Sequence, residues 1–193
     1  MENLLKTLEK YILVTDILAQ NILNKSEQCR FKARTKLLHP GQKQDSLYYL
    51  SNGIIRNYYK SEEKEWTSRF CQQGDFVMSL DNFFFNLPCK EFIETCTDVS
   101  VIKLAKQDYL DLLAQFPELH IASHKIADER LLMTANRMYS WRMLSAAERY
   151  HSFVRQFPEL YKQVQLQHIA SYLDISRFSL SRIRKQSVTR PDC

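Results

Sequence analysis

Glycine is scarce, with three residues in 193. Phosphate-cradling loops depend on glycine, and neither GxGxxG nor GxxxxGK[ST] occurs, which removes the common nucleotide-enzyme motifs. Long apolar runs are missing too: no stretch approaches the roughly 20 residues of a membrane-spanning helix. The opening Met1-Glu2-Asn3-Leu4-Leu5-Lys6 interleaves charge with leucine and offers no signal-peptide core, so a cytoplasmic protein without a membrane partner is expected. The cysteines, Cys29, Cys71, Cys89, Cys96 and Cys193, are odd in number and contain no CxxC pair. Scattered reduced thiols are the expectation, with no zinc ribbon, iron–sulfur cluster or other metal site. No paired catalytic carboxylates and no activated nucleophile stand out, and an enzyme is not expected. Apolar residues at 45% and charged residues at 25% describe a folded chain of at most two modest domains.

The charge is unevenly placed. Residues 1–136 carry 17 Lys+Arg and 18 Asp+Glu, whereas residues 137–193 carry 10 and 4. The net +5 therefore comes entirely from the last third, as a polyanion partner requires and as a solvated basic surface would also show. The pattern inside that segment must decide between the two.

Leucine and isoleucine recur at helical spacing through residues 1–28, which predicts a helix there. From Cys29 short aromatic and β-branched runs alternate with turn signals. Leu47–Leu50 and Ile54–Tyr59 flank Asn52-Gly53, a dipeptide that favours a β-hairpin. Further strands fit Trp66–Cys71, Glu91–Cys96 and Val99–Ala105, giving a small β barrel or roll. A helix begins near Tyr109 and ends before Pro117. Pro117 suits the first turn of a long helix to about Trp141, whose broad apolar stripe fits a two-helix dimer seam. Ser145-Ala146-Ala147-Glu148 is a capping box that opens a helix stopping near Pro158. The expected domains are 1–116, 117–143 and 144–193.

Residues 165–185 take the form of a helix-turn-helix. Leu166, Ile169, Ala170 and Leu173 make one apolar face, Asp174 suits a left-handed turn, Ile175 plugs it, and Ser176 caps the next helix. Leu180 and Ile183 turn that second helix inward. Its outer face then carries Arg177, Phe178, Ser181, Arg182 and Lys185. Arginines one turn apart suit guanine edges in the major groove, while Ser176, Ser179 and exposed N–H groups suit phosphates. Gln167 and His168 lie at the start of the first helix, where backbone phosphate would pass. Together with the local charge this points to duplex DNA; a helical hairpin with a basic face is the alternative.

The order of these parts resembles the Crp–Fnr family of bacterial transcription regulators over nearly the whole chain. Gly53-Ile54-Ile55-Arg56 resembles the family's β-roll turn and Gln73-Gly74-Asp75-Phe76 the turn that enters its phosphate-binding cassette. Leu166 through Arg177, and Ser181-Arg182-Ile183, resemble its reader motif. The resemblance implies an α+β fold: an N-terminal double-stranded, jelly-roll-like β-roll with flanking helices, a long dimerisation helix, and a C-terminal helix-turn-helix of winged-helix type. It implies a homodimer on duplex DNA, with RNA polymerase a further candidate partner. Arg177 and Arg182 fall on the family's two base-reading arginines, with Phe178 where a glutamate commonly stands. The cassette departs as well. Met78-Ser79 replaces the Gly-Glu pair whose glutamate takes the ribose hydroxyl of cyclic AMP, and Cys89 or Lys90 stands near the arginine that neutralises its phosphate. Met78, Ser79, Phe83, Cys89 and Lys90 are the candidate effector-pocket residues, no cofactor is expected, and tight cyclic-AMP binding is not expected. Only eight residues follow Lys185, so the wing is expected to be reduced. A small-ligand sensor or protein-interaction module whose helix-turn-helix is structural remains the alternative.

Overall fold

The computed structural model describes residues 1–62 and 64–189, the last three without their side chains. The N-terminal apolar pattern folds as two helices, α1 (Glu2–Leu8) and α2 (Asp16–Lys25), rather than one. Thr15 restarts the chain: its hydroxyl accepts from the Leu18 N–H at 3.3 Å, and Asp16 places a carboxylate in the first turn. Ile17, counted in the single-helix pattern, faces solvent, as does Leu13.

The strands follow as β1 (Ser26–Phe31), β2 (Lys36–Leu38), β3 (Ser46–Asn52), β4 (Ile55–Lys60), β5 (Glu65–Cys71), β6 (Phe76–Val77), β7 (Phe92–Thr95) and β8 (Val99–Ala105), with α3 (Leu80–Phe85) between β6 and β7. They make two antiparallel sheets, β1-β8-β3-β6 (sheet A) and β2-β7-β4-β5 (sheet B). Leu50, Ile55, Cys71, Val77, Ile93 and Val101 fill the space between them.

The expected Asn52-Gly53 hairpin does not form. β3 pairs with β8 and β6, and β4 pairs with β5 and β7, so the turn carries the chain from one sheet to the other. Gly53 holds φ at +93°, and a Cβ there would sit 2.5 Å from the Asp98 carbonyl oxygen. The site is glycine because another backbone crosses it, in addition to its positive φ. Gly74, at φ +97°, has nothing within 4 Å of the corresponding position. Gly53→Ala is expected to cost about 3 kcal/mol in urea unfolding and Gly74→Ala about 1 kcal/mol. Equal losses would refute the close-approach explanation.

On the outer face of sheet A, Leu4, Leu8, Leu18 and Ile22 pack against Tyr49, Ile102 and the helices α4 (Lys106–Gln115) and α5 (Glu118–Met143). Pro117 stands at the N-cap of α5. The remaining helices are α6 (Ala146–Gln156), α7 (Pro158–Gln163), α8 (Leu166–Leu173) and α9 (Arg177–Thr189). At Ser145 the capping box closes in both directions, with the Glu148 N–H donating to Ser145 Oγ at 3.3 Å and the Ser145 N–H to Glu148 Oε2 at 2.8 Å. Tyr150, Phe153, Leu160, Ile169, Leu173, Leu180 and Ile183 form the core of these helices. α9 continues to Thr189, and no strand follows it among the described residues; the last part of the expected reduced wing, residues 190–193, lies outside them.

The helical part rests on the edge of sheet B. The Thr67 N–H donates to Ser171 Oγ at 2.7 Å, and that hydroxyl donates to the Glu65 carbonyl at 2.9 Å. Backbone groups at the exposed edge of β5 are thus satisfied by a side chain of α8. Phe70 packs at tilted angles against Phe153 and Tyr172, and the Trp66 ring lies 5.6 Å from that of Trp141 of α5. Arg137 lies over both Trp141 and Tyr172 and donates to the Ser68 carbonyl.

Candidate nucleic-acid interface and ligand cavity

Local chemistry sets the angle between α8 and α9. Asp174 ends α8 at φ +52°, and the Ile175 N–H reaches back to the Ala170 carbonyl at 3.0 Å, the long bond of a Schellman-type cap. Ser176 then caps α9, its Oγ accepting from the Ser179 N–H at 3.0 Å and donating to Ser179 Oγ at 2.9 Å. Arg149, which the sequence pattern did not flag, clamps this turn. Its guanidinium donates to the carbonyls of Leu173 at 2.9 Å, Leu144 at 2.8 Å and Asp174 at 3.2 Å. It thereby binds orphan carbonyls at the end of α8 with a cation, where the helix dipole favours one.

With Leu180 and Ile183 buried, α9 presents Arg177, Phe178, Ser181, Arg182 and Lys185 outward, while Ser179 is half-buried. Phe178 is 89% exposed. Neither Arg177 nor Arg182 is engaged by a carboxylate among the described residues.

The two first-helix candidates sit differently. His168 is buried against the β-roll, and burial pushes its imidazole down to about 4, with the Arg56 charge adding to the effect. It is neutral at pH 7 and turned from solvent, so it does not serve as an exposed cationic phosphate contact. Gln167 lies beside it, its amide within 3.1 Å of His168 Nε2. Helical periodicity could not foresee this, because it cannot tell a face against its own domain from a face against a second one.

A cavity of about 230 Å³ lies between β4, β5, α3, α5 and α8. Of the five candidate effector residues, Ser79 and Lys90 line it. Met78 instead borders a larger, mainly apolar cavity of about 450 Å³ beneath α1. Phe83 is 1% exposed and packs with Leu47 and Met78, since its ring turns toward Tyr109 rather than the opening. Cys89 is also core: its thiol donates to the Glu91 carbonyl at 3.1 Å. Two residues missed by the sequence pattern belong to the cavity. Glu91 is buried, accepts from Asn57 Nδ2 at 3.1 Å, and is raised above the usual carboxylate range by burial. Arg130 reaches in from α5 and is lowered to about 10, by burial first and by the nearby Arg69 charge second.

Residues 28–116 match the family of the cyclic nucleotide-binding domain. The cAMP-activated global transcriptional regulator CRP of Salmonella typhimurium is 24% identical over 110 residues, 56% of this chain and 52% of that protein; the CRP of Klebsiella aerogenes matches to the same extent. The chain thus spans about half the length of the curated relatives it matches. Among solved structures, the c-di-GMP responsive global regulator CLP of Xanthomonas campestris superposes with a TM-score of 0.71 at 19% identity, over 91% of this chain and 92% of that one. FixK2 from Bradyrhizobium japonicum does so with 0.73 at 14% identity, over 85% of each. The chain is of the Crp–Fnr type in fold.

Ser79 gives its N–H to Gln44 Oε1 at 2.7 Å and is itself 2% exposed. The cavity's buried carboxylate is Glu91, and its guanidiniums come from Arg69 on β5 and from Arg130 and Arg137 on α5.

Proposed function

We propose that this chain is a sequence-specific DNA-binding transcription regulator of the Crp–Fnr type. It acts in the cytoplasm as a homodimer joined through α5, with RNA polymerase as a further partner and no catalytic activity of its own. The observation that carries this is the outer face of α9, where Arg177, Arg182 and a bare Phe178 ring project from a capped helix whose opposite side is fully packed. Arg177 and Arg182 read base edges, Phe178 touches a thymine methyl, and Ser176, Ser179, Ser181 and Lys185 contact backbone or edges. Gln167 remains a phosphate contact at the edge of the footprint. In this reading tight cyclic-AMP binding is not expected, because Met78-Ser79 and Cys89-Lys90 would not supply the charge-assisted partners its ribose and phosphate need.

Selection from a random pool of duplexes at moderate salt, without added ligand, tests the reading. A two-fold-symmetric motif with half-sites about 34 Å apart is expected. On that motif Arg182→Ala costs about 1–3 kcal/mol and relaxes one base position in each half-site. Unchanged binding would remove Arg182 from the reader. The docking of α8 on β5 favours a second reading, in which the helix-turn-helix is structural and the β-roll acts as a sensor or protein-interaction module. Binding no tighter than to any polyanion, vanishing by moderate salt, would favour it.

A further inference from the structure

The seam between sheet B and α8 contains buried donors with no acceptor. Arg56 on β4 is 3% exposed. Its Nη2 donates to Glu65 at 3.0 Å and Glu94 at 3.4 Å, and its plane lies 3.9 Å from the centre of the Tyr58 ring. Its Nε and Nη1 have no hydrogen-bond partner, although buried donors are normally satisfied. Across the seam, the Gln167 amide lies 3.1 Å from His168 Nε2 and also donates to Gln165 Oε1 at 2.9 Å. That assignment makes Nε2 the acceptor and leaves the imidazole proton on Nδ1, which is likewise buried without a partner.

The residues that carry these groups, Arg56, Gln165, Gln167 and His168, border one cavity of about 230 Å³. Arg34, Lys36 and Lys60 line it from the β-roll along with Arg56, so four cations face two carboxylates. Both carboxylates are already bound to Arg56, and Tyr58 also donates to Glu94 at 2.9 Å. The first turn of α8 forms the other wall, and Gln165 at its N-cap makes no side-chain capping bond. A helix N-terminus with uncapped N–H groups favours an anion. Surplus positive charge, donors without acceptors and a helix start all call for a guest that only accepts and carries negative charge. At about 30 Å³ per water, the space takes a tetrahedral oxyanion and a small substituent.

We propose that this seam binds a phosphate group, anchored by Arg56 and held between the β-roll and the first turn of α8. The site is separate from the cavity beside Glu91 and Arg130. Because its two walls belong to different domains, an occupied site ties the helix-turn-helix to sheet B.

The test is titration of the full chain with inorganic phosphate at constant ionic strength, followed by calorimetry and by 31P line width. Saturable binding of one phosphate per chain is expected. Arg56→Gln abolishes it. Lys36→Glu and Lys60→Glu, at exposed positions that leave the buried ion pairs intact, each weaken it about tenfold or more. Lys10→Glu, far from the seam, leaves it unchanged. Phosphate that binds without saturation, or that binds Lys36→Glu and Lys60→Glu as tightly as the native chain, overturns the proposal.

A second arm identifies the source of the phosphate group. If the DNA backbone supplies it, inorganic phosphate competes with duplex, and Lys60→Gln lowers the salt slope of DNA binding by about one. If a free phosphate-bearing metabolite supplies it, the slope is unchanged while phosphate still binds. The first arm uses no DNA, so it stands or falls independently of the regulator reading.

Discussion

A chain carrying Leu131→Glu and Met138→Glu is expected to sediment as a monomer and to lose about 10²–10⁴ in affinity for a two-fold-symmetric duplex. The reason lies along α5. Leu131 and Met138 are seven residues apart, as are Leu132 and Tyr139, and all four are more than half exposed in the single chain. Leu131, Ala135 and Met138, all exposed, follow the four-and-three spacing of a two-helix seam, and Leu132 and Tyr139 flank it. Burying such a side chain is worth about 1.5–3 kcal/mol, so four from each chain outweigh the cost of bringing two chains together. A glutamate pair on each helix would place four carboxylates in that seam. These side chains contact solvent in the single chain, so its circular dichroism and the fold of each half should be unchanged. A variant that remains dimeric would put the seam elsewhere. A monomer with undiminished affinity would mean that one reader helix suffices.

The sequence was informative where a local rule acts alone. Ser145-Ala146-Ala147-Glu148 closes as a capping box, Asp174 takes the left-handed turn, and Ser176 caps α9, because each depends on backbone groups within a few residues. It misled where a local signal had a non-local cause. Asn52-Gly53 carries a hairpin's residues, yet Gly53 is there because residues 97–99 cross it. Phe83 and Cys89 sit in the expected cassette but face the core. Glu91 and Arg130 are unremarkable charged residues in the linear chain, and only the approach of α5 to sheet B makes them neighbours of one cavity. His168 and Arg149 were missed or misplaced for the same reason: each gains its role from a partner in another element.

Acid is expected to loosen the seam between α8 and sheet B, with His168 as one identifiable contributor. Burial lowers its imidazole from the ordinary 6.5 to about 4, and the groups facing it are Arg56, which disfavours the charged form, and Glu65 and Glu94, which favour it. In the unfolded chain the ring takes its proton near 6.5, while in the folded chain it resists until about 4. The contribution is therefore fully present above 6.5 and is lost as the pH falls from there to about 4. A shift of this size corresponds to at most about 3 kcal/mol. Carboxylates also take up protons as the pH falls. The informative quantity is thus the difference between the native chain and His168→Gln, whose amide keeps a neutral polar group but does not titrate. Urea unfolding at a series of pH values should show the native chain losing about 2–3 kcal/mol more than His168→Gln between pH 7 and pH 4. The only two tryptophans, Trp66 and Trp141, lie together beside the same seam, so their fluorescence reports whether the domains part before the chain unfolds. Parallel stability curves for the two proteins would show that His168 titrates alike in the folded and unfolded chains, and hence that α8 is not held against sheet B in solution.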